Sequence, residues 1–257
     1  MCNRGFQYSV GLNVLKGTFK CFPDKGGGLH LCLKKDIGYW LRLYKDPIVC
    51  EAILCEDSVV SKKGRCIKTD RCVLQNPLPV REFMAQQTED TLMDYVYDDG
   101  LALEYIENQT PDLKLFAIKQ NGRAIQFVKN PTYALQVEAV KQNGQALQYI
   151  SEQSQALCIL AVKQTGRALK HVKQQDNSIV MMAVHSNGLS LKYAKNPSLY
   201  CCKVAVEQNG YALQHVQSQT PEIVECAIKQ NALAKIYKKE MPAVVSQNKC
   251  KSGWISD

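Results

Sequence analysis

Between residues 100 and 232 the apolar and polar positions of the chain recur every 22 residues. Gly stands at 100, 122, 144, 166, 188 and 210, and Ala232 takes the next place. A small residue follows each Gly at the second position (Ala102, Ala124, Ala146, Ala168, Ser190, Ala212), and Leu or Ile at the third, as in Leu103, Ile125 and Leu147. An aromatic or His comes fifth (Tyr105, Phe127, Tyr149, His171, Tyr193, His215) and a small aliphatic sixth. Ala and a β-branched residue return at positions seventeen and eighteen, as in Ala117-Ile118 and Ala227-Ile228. A fixed period of this length is the signature of stacked repeats.

Local chemistry turns the period into two helices. In "QTPDLKLFAIKQNG" and "QTPEIVECAIKQN" Thr is placed to N-cap a helix, with Pro at its first residue and an acidic residue beside it. Leu113, Ala117 and Ile118 then share one face. The following Asn-Gly predicts a left-handed C-cap, with positive φ at the Gly. A second, shorter helix carries Ala102, Leu103 and Ile106 on one side, and the fifth-position ring fills the gap between layers. A pair of about ten and six or seven residues cannot bury its apolar face alone, so neighbours must stack into a solenoid. Beyond Ala232, "KKEMPAVVSQ" loses the pattern, as a terminal cap would.

The residues left over form columns. Lys119, Lys141, Lys163 and Lys229 recur just before the expected cap, beside Gln120, Gln142, Gln164, Gln208 and Gln230, while His185 and Glu207 interrupt the Lys column. Packed helices lie roughly 8–10 Å apart, so these side chains are expected to form a mildly positive ladder down one face. They are the candidate binding residues.

Residues 1–76 lack the period. "GGLHLCL" predicts a strand after a Gly-rich turn, "KKDIGYWLRLY" an amphipathic helix, "PIVCEAILCE" a buried strand and "RCIKTDRCVL" a further strand. The expected fold class is α+β, with a small α/β domain over 1–78 and an α-helical repeat solenoid over 79–257.

Composition narrows the chemistry. With 46% hydrophobic and 22% charged residues the chain is that of an ordinary globular protein. No run of eighteen apolar residues is present, and "MCNRGFQYSVGLNV" is too polar for a secretory signal, so an intracellular or virion location and no membrane partner are expected. Seven of the twelve cysteines precede residue 73, none in a C-x-x-C, and Cys158 and Cys226 fall where the repeats place apolar residues. Buried free thiols are expected, with no metal and no cofactor. The net charge of +8 conceals an acidic stretch over 81–100: Glu82, Glu89, Asp90, Asp94, Asp98 and Asp99 against one Arg. Neither H-E-x-x-H nor G-x-S-x-G occurs, and in "PDKGGGLH" the Lys precedes the glycines, unlike a phosphate loop. Asn108-Gln109-Thr110 matches a glycosylation sequon but is expected to serve as an N-cap turn.

The unit "AVKQNGQALQYI" with its "NQTPDL"-type connector resembles a helical repeat domain of unknown function carried by large DNA viruses, algae and bacteria, over about residues 85–237. That resemblance implies an α-helical array of viral origin and supplies no catalytic residues. The N-terminal segment is similar to small uncharacterised domains of viral and phage proteins. "GGLHLCLKKDIGYW" also looks like a strand–helix element of ADP-ribosyltransferases, which implies an early His or Arg and a late Glu. Arg4, His30 and Glu51 are the residues that could be offered for those roles. The expected function is a non-enzymatic scaffold binding a protein partner. The alternatives are a nucleic-acid-associated helical repeat and an ADP-ribosyltransferase-like N-terminal domain.

Overall fold

A computed structural model describes residues 2–3, 6–7, 11–14, 29–41 and 47–239. Packing divides the chain into two compact units, Met1–Lys173 and Gln174–Asp257.

The described residues of the first unit open with eight strands. They are β1 (Cys2–Asn3), β2 (Phe6–Gln7), β3 (Gly11–Val14), β4 (Leu29–Leu31), β5 (Ile48–Leu54), β6 (Val60–Lys63), β7 (Cys66–Thr69) and β8 (Arg71–Pro79). They form a β1–β2 pair and two three-stranded sheets, ordered β3-β8-β5 and β4-β7-β6, and every described pairing is antiparallel. The predicted strand at "RCIKTDRCVL" is two, β7 and β8, broken at Asp70. Strand β5 lies where expected, yet from Glu51 to Leu54 it is exposed. Its apolar run reflects β propensity and a rim position, not a buried strand. A small core of Cys72 and Leu74 holds Leu31 and Cys50 against it.

The predicted amphipathic helix appears as a 3-10 turn, η1 (Lys34–Asp36), running into α1 (Ile37–Leu41), and α2 (Val80–Ala85) follows β8 directly. Change from strand to helix thus falls at Pro79/Val80. Helix α1 rests on α3 (Glu89–Asp98), where Gly38 has no room for a side chain: a Cβ there would meet the Tyr95 carbonyl oxygen at 2.5 Å. Arg65 fastens the same junction, with its guanidinium 2.7 Å from Asp98 and 3.7 Å from Asp36 and its ring partner Tyr39 5.1 Å away. Much of the acidic stretch is used locally. Asp98 pairs with Arg65, Asp99 caps the next element, and Glu89 and Asp90 occupy the first turn of α3, where the helix dipole favours them.

Each repeat is a ten-residue α-helix and a six-residue 3-10 helix. In the first unit α3 is followed by η2 (Gly100–Tyr105), α4 (Pro111–Gln120), η3 (Gly122–Phe127), α5 (Tyr133–Gln142), η4 (Gly144–Tyr149), α6 (Gln155–Gln164) and η5 (Gly166–His171). The second unit holds α7 (Asn177–Ser186), η6 (Gly188–Tyr193), α8 (Leu199–Gln208), η7 (Gly210–His215), α9 (Pro221–Gln230) and η8 (Ala232–Tyr237). Within each unit successive α-helices pack on one another, as do successive 3-10 helices, which is solenoid stacking. Thr88, Thr110, Thr132, Ser154, Asp176, Ser198 and Thr220 each N-cap their α-helix by accepting from the N–H three residues on. A cap of this kind stabilises by about 1 kcal/mol. The sequon threonine Thr110 is one of them. Leu113, Ala117, Ile118, Ala102, Leu103 and Ile106 are all buried.

The repeat glycines correct the expected capping. None has positive φ; among the described residues that region holds only Gly64, Asn76, Asn130 and Asn196. The Asn before Gly122, Gly144, Gly188 and Gly210, and Asp99 before Gly100, instead N-cap the 3-10 helix, as where Asn121 Oδ1 accepts from Arg123 N at 3.1 Å; Thr165 before Gly166 makes no such bond. Glycine is needed for closeness. A Cβ on Gly122, Gly144, Gly188 or Gly210 would stand 2.4–2.6 Å from the carbonyl oxygen of Ala139, Ala161, Ala205 or Ala227 in the next repeat. The Gly at position zero and the Ala at position seventeen are therefore two halves of one contact. Ala232, where the Gly column ends, is exposed.

Candidate interaction surface

Close approach of Gly and Ala brings the Gln column into the stack. Gly122 N donates to Gln142 Oε1 at 2.7 Å, Gly144 N to Gln164 at 2.9 Å, Gly188 N to Gln208 at 2.7 Å and Gly210 N to Gln230 at 2.6 Å. Gln142 also returns its amide N–H to the Gln120 carbonyl at 3.3 Å. The expected binding role of Gln142, Gln164, Gln208 and Gln230 is corrected accordingly: their oxygens satisfy the buried N–H that opens the preceding 3-10 helix. A bare backbone donor there would go unpaired.

A second Gln column, not read as functional from the sequence, braces the other end of the 3-10 helices. It falls nine residues after Gly, at Gln109, Gln153, Gln175 and Gln219. Gln153 Nε2 donates to His171 O at 3.0 Å and its Oε1 accepts from Lys173 N at 3.0 Å; Gln219 does the same with Tyr237 O and Lys239 N, at 2.9 and 2.8 Å. Gln109 and Gln175 reach Phe127 O and Tyr193 O. Where Pro131 and Pro197 stand instead, the preceding Asn130 and Asn196 turn left-handed, at φ 52° and 51°. The 22-residue register of these four glutamines was a legible signal.

What remains unengaged is the Lys column. Lys119, Lys141, Lys163 and Lys229 are exposed, and no hydrogen bond or ion pair among the described residues takes up their ammonium groups. Other repeat lysines are used: Lys173 Nζ donates to Ser151 O at 2.6 Å, Lys239 Nζ to Val216 O at 2.9 Å, and Lys203 pairs with Glu222. His171 and His215, in the ring column, are half-buried, and burial lowers both imidazole pKa values, with Lys170 and Lys192 adding to it.

The N-terminal candidates do not converge among the described residues. Arg4 lies outside them. His30 sits in β4 opposite Lys68, in one sheet. Glu51 sits in β5, in the other sheet, and its carboxylate accepts from Gln75 at 3.2 Å and Asn76 at 2.7 Å. Glu51 borders an apolar cavity of about 700 Å³ lined by Leu31, Trp40, Leu41, Leu74 and Phe83. Cys32, on the same cavity, has its thiol pushed up to about 11, chiefly by burial, so it is held protonated and unreactive. Cys72, Cys158, Cys201 and Cys202 are buried free thiols. Among the described residues no cluster of three or more His, Cys, Asp or Glu could hold a metal ion, and no helix is long and apolar enough to cross a membrane.

The chain is similar to an uncharacterised protein of Acanthamoeba polyphaga mimivirus, 48% identical over 46 residues. That stretch is 16% of this chain and 31% of the relative, so the chain spans about a third of the relative's length. No family model matches, and no solved structure matches.

Proposed function

We propose that this protein is a non-enzymatic scaffold, working by binding a partner along the outer surface of its repeats. Likeness to a mimivirus protein favours a setting in a large DNA virus, in the infected host's cytoplasm or in the particle. The observation that carries the reading is the sorting of the polar columns. The amide oxygens of Gln142 and Gln164 each accept the Gly N–H of the neighbouring layer, while Lys119, Lys141 and Lys163 are repeated at the same register, exposed and unengaged. Same-type groups in register suit many weak contacts along an extended partner. A catalytic centre needs unlike groups converging on one point.

The test replaces Lys119, Lys141 and Lys163 together by Glu and measures which proteins crosslink to purified wild-type and variant chains in infected-cell lysate. An unchanged melting temperature is expected, because exposed charges contribute little each. Loss of an acidic partner by the variant supports the scaffold. Transfer of ADP-ribose from a nicotinamide dinucleotide by the purified chain, indifferent to this triple change, would overturn it in favour of the N-terminal region.

A further inference from the structure

The three 3-10 helices η3, η4 and η5 present an outer row that the sequence pattern did not flag. A 3-10 helix has three residues per turn, so side chains three apart eclipse on one face. The first and fourth residues after each Gly meet this condition. They are Arg123 and Gln126 in η3, Gln145 and Gln148 in η4, and Arg167 and Lys170 in η5. Five of the six are exposed and Gln145 is half-exposed. From η3 to η5 the row holds three cations and three amides. It is bounded in the preceding layer, η2, by Leu101 and the exposed carboxylate of Glu104 in the same column, while Glu138 in α5 and Glu152 in the following connector stand in other columns.

We propose that this row is a docking strip for the sugar–phosphate backbone of single-stranded RNA. The inference rests on the reading that the repeat surface works by binding, and it names one partner chemistry for it. Three observations support the choice. First, the strip lacks what a protein hot spot uses. Among the described residues from 100 to 173, Tyr133 is the exposed large apolar side chain, and it opens α5, outside the strip. Protein interfaces centre on buried aromatic or aliphatic anchors, whereas phosphate contacts come from Arg, Lys and Gln. Second, Arg123 is held for use. Tyr149, one layer on, accepts from Arg123 through Nε at 3.4 Å and Nη2 at 3.1 Å, which orients the guanidinium and leaves its other N–H groups outward. Third, the amides suit a ribose. Gln148 donates to the Gln145 carbonyl at 3.2 Å, which fixes the side chain along the row and leaves its own oxygen open to accept from a 2′-hydroxyl. That hydroxyl is what separates RNA from DNA at such a site.

The experiment titrates the full chain against fluorescein-labelled rU12, dT12, a twelve-base-pair DNA duplex and polyglutamate, from 50 to 300 mM salt. Wild-type protein is expected to prefer rU12, with affinity falling steeply as salt rises. Replacing Arg123, Arg167 and Lys170 by Glu should weaken rU12 binding more than tenfold and flatten the log–log salt slope by about 2, since each single-strand phosphate contact contributes about 0.7. A charge-matched control, Lys195→Glu with Lys235→Glu and Lys238→Glu, should change affinity less than threefold. Equal weakening by both triples, equal affinity for rU12 and dT12, or tighter binding of polyglutamate would each overturn the inference. Absence of rU12 binding, alongside protein capture that still depends on Lys119, Lys141 and Lys163, overturns this inference and leaves the scaffold standing. Absence of both removes both.

Discussion

The repeats of the two compact units are alike inside and unlike outside. In each, the Gly of one layer lies against the Ala carbonyl of the next, and a Gln oxygen accepts the Gly N–H. The outer columns diverge. Where η3, η4 and η5 show Arg123, Gln145 and Arg167, the matching positions of η6, η7 and η8 are Leu189, Tyr211 and Leu233. Where the first unit has Gln126, Gln148 and Lys170, the second has Lys192, Gln214 and Ile236, and Leu233 and Ile236 are 64% and 71% exposed. Inner columns answer to stacking, which is the same in every layer. Outer columns are free of that demand, and their residues vary. Through Leu233 and Ile236 the 3-10 row of the second unit offers exposed apolar side chains that η3, η4 and η5 lack at the same positions.

The sharpest way to break this comparison is at the Gly column. In Gly144→Val the new Cβ meets Ala161 O at 2.5 Å and Gln164 Oε1 at 2.9 Å. Backbone cannot step aside as a flexible side chain can, so the expected loss is about 3 kcal/mol. The melting temperature should fall by roughly 6–12 °C on that basis. Gly210→Val in the second unit should lose as much, and Ala232→Val, at an exposed site, almost nothing. Similar melting of all three variants would refute the close-approach explanation.

Neighbouring residues give the next contrast. Gln142→Ala removes the acceptor of a buried backbone N–H, at a cost of about 1–2 kcal/mol. Lys141→Ala, one residue earlier and also exposed, should stay within about 0.5 kcal/mol of wild type. Urea denaturation of the pair measures the difference. Should the lysine change prove as costly as the glutamine change, the division into inner and outer columns fails here.

Much of the array was legible because its signals are local and repeated. Thr110 before Pro111 marks a helix start in any context, and Leu113, Ala117 and Ile118 fall on one face by geometry alone. The role of the glycines was misread for a related reason: Asn121-Gly122 satisfies a local capping rule, but the constraint comes from Ala139, seventeen residues on in the next layer. Likewise Gln142 looks solvent-facing within its own helix and gains its partner only when the layers stack. In the strand region the apolar run of β5 fits a buried strand equally well, and only its rim position in the β3-β8-β5 sheet separates the two. Arg123, Gln145 and Arg167 carry no periodic signal, because their column varies between units.

Ser190 tests whether the inner columns are as uniform as they look. It occupies the small-residue position that holds buried Ala102, Ala124, Ala146, Ala168 and Ala212 elsewhere. Its hydroxyl is buried and has no hydrogen-bond partner among the described residues. Ser190→Ala should therefore stabilise the chain by about 1 kcal/mol, because it removes a desolvated polar group without leaving a cavity. Thermal melting checks the sign. A loss of stability would mean that the hydroxyl has a role in the second unit that the first does without.

The smallest effect expected is a shift of stability with pH, and it compares the ring column of the two units directly. His171 and His215 stand where other layers carry Tyr or Phe, and burial holds both pKa values below the usual 6.5, with Lys170 and Lys192 acting in the same direction. His171 Nε2 is buried with no hydrogen-bond partner among the described residues, so a proton there gains no acceptor on folding. As pH falls through 6.5 the unfolded chain takes up protons before the folded chain does. Stability is thus fully present above that pH and is lost below it, toward the lowered folded values. Melting temperature should decline between pH 7.5 and about 5.5, a window chosen to lie above ordinary carboxylate titration. His171→Tyr and His215→Tyr should each flatten the decline, and the double change should flatten it most. If either variant keeps the wild-type slope, that histidine is neutralised equally well in the folded and unfolded chain, and the ring columns of the two units differ in a way that their shared burial does not convey.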